Sequence, residues 1–101
     1  MSQNITRVGI DLAKSVFQVC AVDKRGNVVF NKTVKRADLN TFIAKLPRCE
    51  VILELCAKSN YWYRVFHGYG HDVKLINPVY VRPYVKTNKS DAPLKIIRAI
   101  L

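Results

Sequence analysis

Between Arg7 and Val34 the chain carries three apolar runs separated by polar breaks too short to hold a helix, and this limits the fold more than any other feature. Arg7 to Leu12 alternates Val8, Ile10 and Leu12, Val16 to Val22 is almost wholly apolar, and Val28 to Val34 forms a third run. These are strand patterns. The breaks are Ala13-Lys14-Ser15 and Asp23-Lys24-Arg25-Gly26-Asn27. A parallel connection needs a crossover of about a dozen residues or more, so the three strands must be antiparallel and joined by hairpins.

The hydrophobic period then changes. Leu39, Phe42, Ile43 and Leu46 fall at helical spacing, with Pro47 to stop them. Val51 to Leu55 reads as a fourth strand, and Trp62, Val65, Phe66 and Tyr69 mark a second helix, with Ser59 or Asn60 as its cap and Gly70 as its end. These aromatics share one apolar face and read as core rather than as a stacking platform. Val73 to Ile76 is a fifth strand, closed by Asn77-Pro78. Residues 78–91 read as a basic loop, and residues 92–101 as a terminal helix headed by Asp91, with Pro93 in its first turn. The predicted order is β-β-β-α-β-α-β-loop-α, an α/β domain with a mixed sheet in which the fourth strand lies beside the first. One domain covers residues 1–101, with no internal repeat.

Seventeen Lys and Arg against seven Asp and Glu give a net charge of +10 over 101 residues, which points to a polyanionic partner and away from cationic substrates. No apolar run approaches the length of a membrane span, and the first residues, Met1-Ser2-Gln3-Asn4, lack signal-peptide character. Cys20, Cys49 and Cys56 are odd in number, have no C-x-x-C spacing and lie in or beside apolar runs, so buried reduced thiols in a cytoplasmic protein are expected.

Two carboxylates sit where burial is expected. Asp11 lies in Val8-Gly9-Ile10-Asp11-Leu12 and Glu54 in Val51-Ile52-Leu53-Glu54-Leu55, on strands predicted to be neighbours. Ionised carboxylates about 5 Å apart repel by roughly 3 kcal/mol at an effective dielectric of 20. A divalent cation, Mg²⁺ or Mn²⁺, offsets this repulsion, and Asp91 at a helix start is a candidate third ligand. Structural alternatives remain for each acid alone: Asp11 as a turn cap, Glu54 paired with Lys14, Lys58 or Arg64, and Asp91 as an N-cap. His67 and His71 lie four apart, but Gly68 and Gly70 break the helix between them, which argues against a zinc pair.

Several motifs agree in order and spacing with a known family. Gly9-Ile10-Asp11-Leu12-Ala13-Lys14, Leu53-Glu54-Leu55-Cys56-Ala57, Tyr61-Trp62, Gly70-His71-Asp72-Val73, Asn77-Pro78, Tyr80-Val81-Arg82-Pro83-Tyr84-Val85-Lys86 and Asn88-Lys89-Ser90-Asp91-Ala92 are the residues concerned. Over these the chain resembles the amino-terminal domain of the DEDD transposases of insertion sequence family 110, relatives of the Piv DNA invertases. The resemblance implies an RNase H-like (RuvC-like) fold and a DNA transposition or recombination function. It also implies a pair of magnesium ions held by four acids, acting on phosphodiesters. By position Asp11, Glu54 and Asp91 correspond to the first three. Leu94 stands where the family has its fourth acid, and leucine offers a metal no oxygen. The family's carboxy-terminal, serine-bearing domain has no counterpart in these 101 residues. The expectation is therefore a truncated domain, inactive in strand cutting by itself, with impaired metal binding.

Lys74, Arg82, Lys86, Lys89 and Lys95, with Tyr80 and Tyr84 interleaved, suit a strip that tracks phosphates and stacks bases. DNA is the expected partner, and the resemblance adds a guide RNA and a nucleoid location in a prokaryotic cell. Ile96, Ile97, Ile100 and Leu101 read as an uncovered apolar surface, which predicts self-association. Two other readings stand beside the transposase: a non-catalytic nucleic-acid-binding remnant, and an actin-like kinase or ATPase fragment sharing the Gly9-Ile10-Asp11 strand. The last is weakened because Ala13-Lys14-Ser15 has no glycine to approach a phosphate.

Overall fold

The computed structural model describes residues 4–12, 16–77, 93–94 and 96–97. Strands β1 (Ile5–Asp11), β2 (Val16–Asp23) and β3 (Val28–Lys35) precede helix α1 (Arg36–Ala44), and strand β4 (Glu50–Glu54), helix α2 (Ser59–Gly68) and strand β5 (Asp72–Ile76) follow. The strands form one sheet in the order β3-β2-β1-β4-β5. β1 pairs antiparallel with β2 and β2 with β3, while β4 lies parallel to both β1 and β5. The expected mixed sheet, with the fourth strand beside the first, is present and is compatible with an RNase H-like fold.

The β2–β3 hairpin closes on Asp23, whose Oδ1 accepts the N–H groups of Arg25 and Asn27, both at 2.9 Å. Gly26 takes φ +87°, a backbone conformation that L side chains rarely adopt. α2 ends in a Schellman turn: the His71 N–H reaches the Phe66 carbonyl, the Gly70 N–H reaches that of His67, and Gly70 has φ +94°. At the other end of α2 the expected Ser59 cap is not formed. Ser59 is the first helical residue, and its buried hydroxyl donates to the Cys56 carbonyl at 2.8 Å and accepts the Cys56 N–H at 3.2 Å. It therefore ties down the turn that leaves β4.

Both faces of the sheet are covered, by different means. α1 and α2 pack Leu39, Ile43, Trp62 and Phe66 against Val8, Ile10, Phe17, Val19, Val51 and Leu53. Trp62 stacks on Phe66 and meets Phe17 edge-on, so these rings are core as expected, whereas Tyr69 is exposed. Buried His71 joins three elements of this layer. Its Nε2 lies 2.9 Å from the Ile43 carbonyl, which can only accept, and its Nδ1 lies 3.3 Å from the Cys49 N–H, which can only donate. Those partners assign the neutral tautomer protonated on Nε2.

On the second face Cys20, Val22, Ile52 and Ile76 pack against Ile96 and Ile97, with Leu94 partly buried beside them. For Ile96 and Ile97 this corrects the expectation of an uncovered terminal surface: each is 1% exposed because it closes the second face of the sheet, while Ile100 and Leu101 lie outside the described residues. The case for self-association through these two residues disappears with their burial. A second correction concerns the thiols. Cys20 and Cys49 are buried, but Cys56 is exposed, because its turn follows the strand end rather than entering the core.

Candidate functional site

The register of β1 against β4 brings the two carboxylates together. Gly9 pairs with Ile52 and Ile10 with Leu53, and one residue further each strand ends, β1 on Asp11 and β4 on Glu54. Adjacent strands lie about 4.8 Å apart. Side chains alternate along a strand, so Asp11 shares a face with Gly9, and Glu54 with Ile52. That is the face on which Leu94, Ile96 and Ile97 dock. Both acids are half-buried, and among the described residues neither has an ion-pair partner. In particular Glu54 does not pair with Lys58 or Arg64.

Gly9 fixes where the last segment sits. A methyl group added there would collide with the Pro93 carbonyl oxygen and come within 2.8 Å of Ile97 Cγ1. The backbone at Pro93 thus lies in direct contact with β1, two residues before Asp11. The sequence signal for this was a lone glycine inside an apolar strand run, which marks close approach of another backbone. Asp91 precedes Pro93 by two residues and lies outside the described residues, as do Tyr80, Arg82, Tyr84, Lys86, Lys89 and Lys95. Leu94, which the sequence reading sets where a fourth acid is expected, packs against the apolar cluster.

Chemically, the donor set suits a hard divalent cation: two carboxylates on adjacent strands, half-exposed and without a competing cation among the described residues. Among those residues no third His, Cys, Asp or Glu joins them. The histidines are used otherwise, His71 in the core and His67 stacked on Tyr63.

The opposite end of the same face carries a different arrangement. Arg7 Nε donates to Glu50 Oε1 at 2.8 Å, and Lys74 Nζ lies 3.9 Å from Glu50 and 3.8 Å from Asp72. Lys74, expected in the nucleic-acid strip, is therefore shared between two carboxylates on β4 and β5. Near Glu50 the buried Cys49 thiol is pushed up to about 11, by desolvation first and by the Glu50 charge second. It is protonated at neutral pH and no nucleophile, although its Sγ lies 3.8 Å from His71 Nδ1. No described helix is long and apolar enough to cross a membrane.

Comparison with known proteins agrees with this architecture. The family model for DEDD transposases of the IS110 type matches residues 8–93. A probable family 20 transposase of Pseudomonas aeruginosa is 47% identical over 89 residues, covering 88% of this chain and 26% of the relative. The transposase for insertion sequence element IS1111A of Coxiella burnetii is 44% identical, with 88% and 24% covered, and that for IS1328 of Yersinia enterocolitica is 43% identical, with 87% and 26% covered. The chain spans about a quarter of the length of these relatives. A match over residues 8–93 includes Asp11, Glu54 and the docked Pro93, and with it the chain belongs to the IS110-type DEDD transposase family.

Proposed function

We propose that this chain is the metal- and nucleic-acid-binding part of a transposase, acting on DNA in transposition, with Asp11 and Glu54 holding Mg²⁺ or Mn²⁺. The observation that carries the reading is the β1–β4 register, which brings two carboxylates, without an ion-pair partner among the described residues, to neighbouring strand ends on the face where Leu94, Ile96 and Ile97 dock. A divalent ion there would polarise a phosphodiester oxygen and stabilise the charge that develops on it. Asp11 and Glu54 orient the ion, and Asp91 is the third ligand. Leu94 supplies no fourth oxygen, so the site holds one ion weakly and the isolated chain does not cut DNA. Guide RNA is a second partner in this reading, bound with DNA through the basic residues between Arg82 and Lys95.

Mn²⁺ titration followed by electron paramagnetic resonance tests the proposal. One weakly bound ion is expected, lost in Asp11→Asn and in Glu54→Gln, whereas Leu94→Asp tightens binding or adds a second ion. Equal Mn²⁺ binding by the wild type and Asp11→Asn would overturn the assignment. Magnesium-dependent cleavage by the wild type would overturn the claim of inactivity.

A further inference from the structure

The helix layer carries a charge that neither the acid pair nor the residues after Lys74 account for. Residues 32–48 and 56–70 hold seven Lys and Arg against one acid, Asp38. The described ion pairs lie elsewhere, among Arg7, Glu50, Asp72 and Lys74. Three of these cations gather at the sheet end where β1 and β4 terminate. Lys35 and Lys58 are the N-cap residues of α1 and α2, and Arg36 is the first residue of α1. All three are exposed.

This placement runs against local preference. A helix start is the positive end of the helix dipole and favours an acid or a small polar cap. Here two adjacent helices each begin on a lysine with no side-chain cap, and α2 has no acid in its first turn. Departures of this kind concentrate at binding sites, where a ligand supplies what the fold withholds.

An aromatic group lies against one of these cations. The Arg36 guanidinium lies 5.7 Å from the centre of the Trp62 ring, and Tyr61 meets the same ring edge-on at 4.9 Å while remaining 49% exposed. Trp62 is 3% exposed, and its indole N–H has no acceptor among the described residues. Tyr61 thus stands as an open ring against the indole that Arg36 covers, at the sheet end where Lys35 and Lys58 begin the two helices; none of the three cations has an ion-pair partner among the described residues, and exposed Val16 and Leu55 lie at the same end of the sheet. Unpaired positive charge next to an exposed ring is the chemistry that holds a nucleic-acid strand by its phosphates and stacks one of its bases.

We infer that Lys35, Arg36, Lys58 and Tyr61 form a second nucleic-acid contact surface, on the helix layer, which binds the phosphodiester backbone of a single strand and stacks a base on Tyr61. It rests on the proposed nucleic-acid function but is distinct from the residues beyond Lys74, and it lies on the layer opposite the acid pair. RNA and DNA strands share the recognised chemistry.

The test is binding of labelled single-stranded DNA, single-stranded RNA and duplex DNA to the 101-residue chain over a range of salt. The variant Lys35→Gln/Arg36→Gln/Lys58→Gln should lose about 2 units from the slope of log K against log salt on single strands, at about 0.7 per phosphate contact. Tyr61→Ala should weaken single-strand binding at least about fivefold and duplex binding much less, with Tyr61→Phe restoring it. Arg36→Lys, which keeps the charge, guards against loss of Trp62 packing as the cause. A greater loss on RNA than on DNA identifies the guide strand as the occupant, and the reverse identifies the DNA. If the wild type binds and both sets of variants bind as well as it does, this inference fails alone. If the wild type binds no nucleic acid, the proposed function fails with it.

Discussion

Replacing Gly9 by alanine tests the claim that the last helical segment closes the second face of the sheet. The new methyl group would overlap the Pro93 carbonyl oxygen and lie 2.8 Å from Ile97 Cγ1. The isoleucine side chain can rotate away, but a backbone oxygen moves only if the helix carrying it moves. Overpacking of this kind costs about 1–3 kcal/mol when the neighbour shifts. The alternative is complete undocking, which re-exposes Ile96 and Ile97 at about 1.5–3 kcal/mol each. The smaller cost wins, so a loss of about 2 kcal/mol is expected, or a fall in Tm of roughly 8–16 °C for a domain of this size. Thermal unfolding measures the loss, and limited proteolysis reports whether the segment around residues 93–97 has loosened. Gly68→Ala is the control: nothing lies within 4 Å of the added methyl and its φ is not positive, so it should be neutral or stabilise α2 by up to about 1 kcal/mol. A Gly9→Ala protein with unchanged Tm and unchanged protease resistance would refute the docking.

Three further outcomes follow from the core and its thiols. His71→Phe leaves the buried Cys49 N–H without its acceptor, while the Ile43 carbonyl keeps the Leu46 N–H at 3.2 Å, which predicts a loss of about 1–3 kcal/mol in urea unfolding; a loss below about 1 kcal/mol would mean that water replaces the ring. The Cys49 thiol, raised to about 11 from the ordinary 9.0, makes stability pH-dependent. Below pH 9 the thiol is protonated in both states; above it the unfolded chain ionises first, so stability should fall as pH rises from about 9 through 11, and Cys49→Ala should lessen that fall. A thiol reagent at pH 8 should label exposed Cys56 in the native protein and reach Cys20 and Cys49 only on unfolding.

Much of the fold is legible in the hydrophobic period because most elements have one apolar face. Val8 and Ile10 alternate, Leu39 and Ile43 lie one helical turn apart, and short polar breaks leave no topology but hairpins for β1 to β3. The acid pair is legible for a related reason: a carboxylate inside an apolar run is conspicuous, and pairing β4 with β1 is enough to bring two such residues together. Other features escaped because periodicity does not say what an apolar face packs against. Ile96 and Ile97 look unpartnered because their spacing marks an apolar face without naming what it meets, yet they complete the second side of the sheet. Cys56 follows an apolar run in sequence but leaves it in space. Lys74 counts as a free cation in a charge tally, although the β4–β5 register sets it beside Glu50 and Asp72. The cations at the two helix starts were visible only as net charge, since their clustering depends on α1 and α2 beginning at the same end of the sheet.

The contact between Gly9 and Pro93 links stability to the proposed chemistry. Asp11 and Glu54 are built into paired strand ends, so their separation is set by the sheet and persists as long as the domain is folded. Asp91 belongs to a segment whose described anchors are Pro93 against Gly9 and the side chains of Ile96 and Ile97 on the second face. Two ligands of the proposed metal site are therefore fixed by the sheet, and the third depends on docking. A substitution that lifts the segment should weaken Mn²⁺ binding while leaving the pairing of β1 with β4 intact. Asp11→Asn should do the reverse, abolishing Mn²⁺ binding without loosening the segment. Measuring Mn²⁺ affinity and protease resistance on both variants separates the two contributions. If Gly9→Ala loosens the segment and leaves Mn²⁺ affinity unchanged, Asp91 is not a ligand, and the site consists of the strand pair alone.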